Sequence, residues 1–256
     1  MPRHSRIFSN SKIYHIIIKG IDSSDIFYSD QDRKMFLEKI KLVQKNFPFK
    51  IYAYCLMSNH VHIILKVENE LLSKLMHNLS LRYSRYFNSK YKRKGSLFQD
   101  RFYSRNIENQ KYFLAVCKYV HRNPEKAGIA LTSEYPWSSY SEYLYKEKII
   151  DKKILLHYFN NSIDNFIKYT TQSETIEEII NYADFEINTH ISDEELVEII
   201  KKICNLKTID EIFDYFKIKN NRMILKHFKN IKEINISQLS RITRVNKKAL
   251  AQIFKK

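Results

Sequence analysis

The sequence predicts an α+β fold up to about residue 150 and an all-α fold for the rest of its 256 residues. In the first part, β-branched runs and amphipathic repeats follow the order strand, helix, two strands, helix, strand-like segment, helix. After residue 150 the strand signal fades and helical periodicity dominates. We therefore expect two domains, residues 1–150 and 151–256. The first should be a ferredoxin-like sandwich, an antiparallel sheet with helices on one face, and the second a smaller all-α domain.

The first half of the predicted sandwich contains three strands and one helix. "IYHIIIKG" from residue 13 is a β-branched run that ends at Gly20. "DQDRKMFLEKIKLVQKNF" from residue 30 is amphipathic, with acidic residues in its first turn and Pro48 just beyond its end. "IYAYCLM" and "HVHIILKV" then form two strands, separated by the polar pair Ser58 and Asn59.

The second half continues with a helix over "ELLSKLMHNLSLRYSRYFNSKY", whose apolar residues recur at helical spacing. It ends in the basic stretch "KYKRKG" and is followed by a β-rich segment, "SLFQDRFYSRNI". The next helix, "NQKYFLAVCKYVHRNP", should stop at Pro124, because proline lacks the backbone N–H that a helix interior uses.

The C-terminal stretch "NISQLSRITRVNKKALAQIFKK" predicts two short helices with a turn near residues 244–246. Its apolar residues should face inward and its basic residues outward. This arrangement is typical of a helix-turn-helix that enters a DNA groove, although a plain helical hairpin has the same pattern. The outward residues that we expect to bind DNA are Arg241, Arg244, Lys247 and Lys248.

Composition excludes several classes of protein. No run approaches the 18 apolar residues of a membrane span, and the N-terminal residues lack an apolar signal region, so we expect a cytoplasmic protein without a membrane partner. Three cysteines without a C-x-x-C pair suit free thiols. Only three widely separated glycines occur, which argues against a P-loop or a dinucleotide fingerprint.

The charge distribution points to a polyanionic partner. The net charge of +16 divides into +13 for residues 1–150, −6 for residues 151–221 and +9 for residues 222–256. Two basic blocks that flank an acidic one suggest two surfaces that contact nucleic acid. Lysine-rich solvated faces would explain the total charge, but they would not explain the alternation of sign.

Basic and aromatic residues are interleaved around residues 91–122. A single DNA strand suits such a surface, because its backbone needs positive charge and its bases can stack on rings. A solvated loop with core aromatics is the alternative for any one of these residues. The candidate DNA-binding residues of this region are Lys92, Arg93, Lys94, Arg101, Arg105 and Arg122.

The segment "MSNHVHIIL", residues 57–65, suggests a metal site. His60 and His62 should share one face of a strand, since side chains alternate between the faces. Tyr119 and Asn123 stand four apart and share one helical face. If that face lies over the histidines, two imidazoles and one amide oxygen could hold Mg²⁺ or Mn²⁺ beside a phenol nucleophile. Histidines on a strand without a ligand role are the alternative.

These residues resemble a known family. "MSNHVHIIL" resembles the histidine-hydrophobe-histidine motif of single-tyrosine HUH transposases, and "KYVHRNPEKAG" resembles the tyrosine helix of their REP-associated branch. The opening "MPRHSR…YHIIIKG", counted as one match, and "GSLFQDRFYS" are also similar to that branch, so the likeness covers roughly residues 1–145. The four matches occur in order, which makes them more specific than any one motif.

The resemblance implies a function and assigns roles to four residues. His60, His62 and Asn123 match the metal ligands, and Tyr119 matches the nucleophile. The implied reaction is cleavage and rejoining of single-stranded, hairpin-forming DNA through a 5′-phosphotyrosine. Two alternatives remain, a replication-initiator or relaxase-type nuclease and a domesticated DNA-binding regulator that does not cleave. The sequence also leaves open whether the chain acts as a monomer or as a homodimer.

Overall fold

The computed structural model describes residues 7–145, 147–173, 193–230 and 236–255. The chain divides into two compact units, Met1–Gln172 and Ser173–Lys256. The first unit contains a four-stranded sheet with helices, and the described part of the second unit is helical. The predicted fold class, an α+β sandwich followed by a smaller all-α region, is therefore confirmed.

The sheet has the strand order of a ferredoxin-like fold. Its strands are β1 (Ile13–Lys19), β2 (Phe49–Leu56), β3 (His60–Val67) and β4 (Tyr103–Asn106). They lie in the order β2-β3-β1-β4, and every neighbouring pair is antiparallel. The strands β1 and β3 are central and carry mainly buried β-branched residues, as expected for strands covered on both faces.

Three long helices and three short ones complete the first unit. Their bounds are α1 (Asp30–Gln44), α2 (Asn69–Lys90), α3 (Gln110–Lys126), α4 (Tyr140–Leu144), α5 (Lys153–His157) and α6 (Ile163–Thr171). A 3₁₀ turn, Ile21–Ser23, follows β1. The helices α1 and α2 contact each other and bury apolar stripes.

The two faces of the sheet are covered by different helices. Tyr14 and Ile16 of β1 point to one face, where the Tyr14 hydroxyl donates to Asn69 at the start of α2. The buried stripes of α1 and α2 cover this face. The opposite face carries His60 and His62, and α3 packs against it through β2 and β3. Helices therefore lie on both faces, and not on one face as the sequence predicts, because α3 packs on the histidine face. Among the three long helices, α3 alone adjoins that face.

Two predicted elements differ from the structure. Helix α3 does not stop at Pro124 but continues to Lys126. Proline removes one backbone hydrogen bond, and near the end of a helix the remaining residues can still complete the last turn. The Pro124 carbonyl still accepts from the backbone N–H of Ile129. Within the predicted β-rich segment 96–107, only Tyr103–Asn106 forms a strand, and Phe98 makes an isolated bridge to Gly20.

The first unit also extends beyond the predicted boundary at residue 150. The backbone N–H of Asp151 donates to the Ile51 carbonyl of β2 at 2.7 Å. Further on, the Phe166 ring of α6 stacks on Tyr143 with centroids 4.6 Å apart and meets His121 edge-on. These contacts bury Phe166 and join residues 151–172 to the α+β sandwich.

The described part of the second unit contains four α-helices and one 3₁₀ segment. They are α7 (Asp193–Cys204), α8 (Ile209–Lys217), the 3₁₀ segment Lys219–Asn230, α9 (Ile236–Thr243) and α10 (Lys247–Lys255). Leu239, Val245 and Leu250 enter its apolar core, as the sequence predicts for the last two helices. None of the described helices is long and apolar enough to cross a membrane.

The three cysteines are free thiols, as predicted. Cys55 and Cys117 are buried in the first unit, and Cys204 is partly buried in the second. Burial raises the pKa of the Cys204 thiol to about 11. All three thiols are therefore protonated near pH 7 and behave as small apolar side chains.

A buried carboxylate joins the first turn of α1 to the end of α2. Asp32 is fully buried and accepts hydrogen bonds from the backbone of Ser29, the hydroxyls of Tyr86 and Tyr91, and Lys90 Nζ at 2.7 Å. Burial alone would raise the pKa of Asp32, but the hydrogen bonds from Lys90, the two tyrosines and Ser29 lower it to about 2.

Replacing Asp32 with Asn should lower the free energy of unfolding of the first unit by about 3 kcal/mol, because Lys90 would lose a buried partner. The single tryptophan, Trp137, reports this unit, since its ring lies 5.8 Å from Arg33 Cζ of α1. Denaturant unfolding followed by its fluorescence measures the change. Asp30→Asn, an exposed acid in the same turn, is the control and should have little effect.

The stability of the wild type and that of Asp32→Asn should depend differently on pH. The pKa of Asp32 is lower in the folded state than the value of about 3.9 in unfolded chains. Its contribution to stability is therefore present above pH 4 and is lost as the pH falls towards 2. Between pH 4 and pH 2, Asp32→Asn should therefore lose less free energy of unfolding than the wild type. The same pH dependence of stability in both proteins would contradict the role given to Asp32.

Candidate active site

The register of β3 places both motif histidines on one face of the sheet. His60 lies opposite Lys19 of β1, and His62 lies between Ile17 of β1 and Cys55 of β2. His62 is 3% exposed, and His60 is partly buried. Their ring centroids are 4.9 Å apart and the rings are nearly perpendicular, so the two imidazoles face a common space.

Helix α3 brings Tyr119 and Asn123 to the same face. The Asn109 side chain caps the helix by accepting from the backbone N–H of Tyr112 at 2.9 Å. The Tyr119 ring meets the His62 ring edge-on, with centroids 5.4 Å apart. Asn123 Nδ2 lies 3.5 Å from His62 Nε2. The structure therefore brings together the four residues that the sequence selects for chemistry.

The outer ring nitrogens of both histidines have hydrogen-bond partners. His60 Nδ1 lies 2.6 Å from Asn59 Oδ1, and His62 Nδ1 lies 2.9 Å from His15 Nε2. Asn123 contacts His62 and also interacts with His60, so its amide stands between the two rings. Rotation of this amide about its terminal bond would exchange the positions of its nitrogen and oxygen.

Burial keeps both imidazoles neutral near pH 7. Burial, and to a smaller extent the charge of the neighbouring Lys19, lower the pKa of His60 to about 4. Burial also holds the pKa of His62 well below its usual range, with His60, His15 and Lys19 acting in the same direction. A neutral imidazole is the form that binds a metal ion.

These donors fit a divalent cation with open coordination positions. Among the described residues, no group of three or more His, Cys, Asp and Glu side chains is arranged to hold a metal ion. The amide of Asn123 is therefore needed as a third donor beside His60 and His62. Imidazole nitrogen with amide oxygen suits a hard or borderline ion such as Mg²⁺ or Mn²⁺.

Three positive side chains lie near the site. The sequence predicts DNA binding for Arg105 and assigns no role to Lys19 or Lys126. Lys126 Nζ lies 4.8 Å from the centroid of the Tyr119 ring. Lys19 pairs with His60 across the strands, and Arg105 pairs with His15. Lys126 could have been found from its position seven residues after Tyr119 on the same helical face, but Pro124 suggested that the helix had ended.

The other candidate DNA-binding residues occupy several places. Lys92 and Lys94 are exposed in the turn after α2, Arg93 packs over Phe87, and Arg101 is exposed in the following loop. Arg122 instead donates to Glu125 at 3.1 Å and to the Gln172 carbonyl at 3.0 Å.

The C-terminal candidates lie in the second unit and are exposed. Arg241 makes a two-pronged ion pair with Asp193, at 2.8 and 2.9 Å. Arg244 Cζ lies 3.7 Å from the centroid of the Phe213 ring. Lys247 and Lys248 are the first two residues of α10. The four basic residues therefore differ in their surroundings, since Arg241 pairs with an acid and Arg244 packs on a ring.

Comparisons with known proteins show what this chain is similar to. The family model described as "Transposase IS200 like" matches residues 9–123. A Haemophilus influenzae protein named as a REP-associated tyrosine transposase is 25% identical over 154 residues, 55% of this chain and 86% of that protein. A solved structure of a REP-associated tyrosine transposase bound to a REP hairpin is 20% identical, covers 57% of this chain and 87% of the solved chain, and gives a TM-score of 0.49. Residues 9–123, which hold His60, His62, Tyr119 and Asn123, are therefore similar to the IS200-like transposase family.

Proposed function

We propose that this chain is a metal-dependent DNA transposase that cleaves and rejoins single-stranded DNA through a 5′-phosphotyrosine intermediate. The observation that carries the proposal is the gathering of two neutral histidines, an amide and a phenol on one face of the sheet. The similarity of residues 9–123 to IS200-like transposases supports a reaction on DNA. Hairpin-forming ends are the substrate that the resemblance to the REP-associated branch implies.

His60, His62 and Asn123 would hold the cation, Mg²⁺ or Mn²⁺. When bound there, a divalent ion polarises the scissile phosphate and stabilises the charge that develops on it. The sheet and α3 already gather the three donors, and His62 and Asn123 are 3% and 8% exposed. The Asn123 amide would have to rotate about its terminal bond to turn its oxygen towards the cation. Donors that are already gathered lower the cost of ordering the site when DNA binds.

Tyr119 would supply the nucleophile. Its phenol oxygen forms a bond to phosphorus as the bond from phosphorus to the 3′ oxygen breaks. The phenol proton leaves to water, and the released 3′ oxygen takes up a proton to become a hydroxyl. The ammonium of Lys126, 4.8 Å from the centroid of the ring, adds positive charge beside the phenol and would attract the scissile phosphate. Attack by a 3′-hydroxyl reverses the step and rejoins the DNA.

Access to Tyr119 requires a local movement. The residue is 2% exposed, because its ring packs between His62 and the Lys126 side chain. A DNA phosphate can reach the phenol only after this packing opens or the side chain rotates outward. Lys19, Arg105 and the exposed Tyr103 lie on the same face of the sheet and would attract the backbone and bases of a strand there.

Tyr119→Phe should abolish the covalent protein–DNA adduct while retaining binding of Mn²⁺ and DNA, because only the attacking oxygen is removed. Incubation of the protein with single-stranded hairpin DNA and Mn²⁺, followed by denaturing electrophoresis and mass spectrometry of the trapped peptide, measures this. Tyr112→Phe, two turns earlier on α3, is the matched control and should form the adduct. Cleavage that leaves a free 5′-phosphate without an adduct would indicate a hydrolytic nuclease.

Replacing His60 and His62 together with Ala should remove Mn²⁺ binding and cleavage at the same time, since two of three proposed donors are lost. Calorimetric titration with Mn²⁺ and the adduct assay measure the two effects. His157→Ala is the control, because this exposed histidine lies on α5 outside the site. Normal cleavage by the double variant would contradict the proposed site.

The second unit would add a DNA-binding surface at the exposed start of α10. Since Asp193 already neutralises Arg241 and Arg244 packs on Phe213, Lys247 and Lys248 should carry most of this interaction. The helices α9 and α10 are separated by a three-residue turn, a spacing along the chain that is compatible with a helix-turn-helix.

Changing Lys247 and Lys248 to Gln should weaken hairpin binding and reduce the slope of log affinity against log salt by about 1.8, because two phosphate contacts would be lost. Fluorescence anisotropy across a salt series measures the slope. Adduct formation at saturating DNA should persist, since the proposed chemistry belongs to the first unit.

The control for this pair is the change of Lys201 and Lys217 to Gln in the same unit. It removes the same charge, but both lysines are paired with acidic residues three positions earlier. If both lysine pairs reduce the slope of log affinity against log salt equally, net charge alone accounts for the effect. If neither pair reduces it, the start of α10 does not bind DNA.

A further inference from the structure

We propose that His15 is a positioning residue that fixes the protonation pattern of His62, so that His62 presents its Nε2 lone pair to the metal. The inference rests on the proposed function and adds a residue to the site. His15 is 0% exposed on β1, and its Nε2 lies 2.9 Å from His62 Nδ1. The two ring planes differ by only 17°, with centroids 5.1 Å apart.

This geometry is an in-plane hydrogen bond between ring edges. A short contact between two nitrogens combined with well-separated centroids means that the rings lie side by side and do not overlap. The lone pair or hydrogen of an imidazole nitrogen lies in the ring plane, so the contact is well aligned. Such a bond restricts rotation of the His62 ring and sets the direction in which its other nitrogen points.

The contact requires one proton between the two nitrogens. If His62 Nδ1 donates, His15 Nε2 accepts, and His62 Nε2 carries a lone pair. If His15 donates instead, His62 must carry its proton on Nε2 and cannot bind a metal there. The amide Nδ2 of Asn123 faces His62 Nε2 at 3.5 Å, and an amide nitrogen can only donate. With the amide in this orientation, the first arrangement is the one that satisfies both neighbours of His62.

A parallel bond at His60 supports the same logic. Asn59 Nδ2 donates to the Ser23 carbonyl at 3.2 Å, which turns Asn59 Oδ1 towards His60. Because that oxygen can only accept, His60 Nδ1 must be the donor. Both histidines of the motif would then carry their protons on Nδ1 and present Nε2, although their partners come from different segments of the chain.

Nitrogen NMR of the metal-free protein tests the assignment directly. We expect ¹⁵N-labelled imidazole spectra to show His15 and His62 protonated on Nδ1 and unprotonated on Nε2, the tautomer that is less common in solution. His62 protonated on Nε2 would overturn the inference. This readout depends neither on metal binding nor on DNA cleavage, so it stands apart from the tests of the proposed function.

Two variants separate positioning from packing. His15→Phe keeps a buried ring but removes the acceptor, and it should weaken Mn²⁺ binding about 10- to 100-fold. His15→Gln supplies an amide oxygen as acceptor and should lose less affinity than His15→Phe. Calorimetric titration with Mn²⁺ measures both, and Trp137 fluorescence unfolding confirms that each variant is folded.

Equal affinities for wild type and both folded variants would overturn the positioning role. Equal losses in His15→Phe and His15→Gln would also overturn it, because the acceptor would then make no difference. If Mn²⁺ affinity follows the predicted order but no protein–DNA adduct forms on Tyr119, the positioning role stands and the proposed transposase reaction fails. The two failures are therefore distinguishable.

Discussion

The site depends on the register in which β3 pairs with its two neighbours. His62 lies opposite Ile17 of β1 and Cys55 of β2, which sends its ring to the face covered by α3. A shift of one residue would turn every side chain of β3 to the other face and would place both histidines against α1 and α2. The register is stabilised because Ile63 and Leu65, on the opposite face, are almost completely buried. Burial of apolar side chains on one face of β3 thus determines that the histidines lie on the other face, beside α3.

Covering both faces of the sheet gives the histidines their electrostatic character. The helices α1 and α2, joined by the buried Asp32, close one side, while α3 closes the side that carries the site. Burial between the sheet and α3 disfavours protonated imidazole and holds the pKa of His60 and His62 below the usual range. Lys19 and Lys126 add positive charge beside the rings, which suits the approach of a phosphate. The same packing that forms the core therefore prepares neutral ligands and a positive field.

Sequence patterns predicted the local relations within single elements and missed the relations between elements. The two-residue spacing of His60 and His62 and the four-residue spacing of Tyr119 and Asn123 each define a face of one strand or one helix. The contact between His15 and His62 depends on the pairing of strands 47 positions apart, which no local pattern contains. The boundary at residue 150 also differed from the structure, since the docking of Phe166 on Tyr143 leaves no mark in the composition. For the same reason, the pairing of Arg241 with Asp193 could not be read from the basic pattern of the last helices.

In the proposed site, two imidazoles and the amide of one helix residue converge on a single cation. Pulsed electron paramagnetic resonance of the Mn²⁺-loaded protein, with ¹⁵N introduced only into histidine, measures this most directly. We expect couplings from two directly bound histidine nitrogens, together with a ¹⁴N coupling that is lost when Asn123 is changed to Ala. Couplings from one histidine nitrogen or from none, in a protein that binds Mn²⁺ with full stoichiometry, would contradict it.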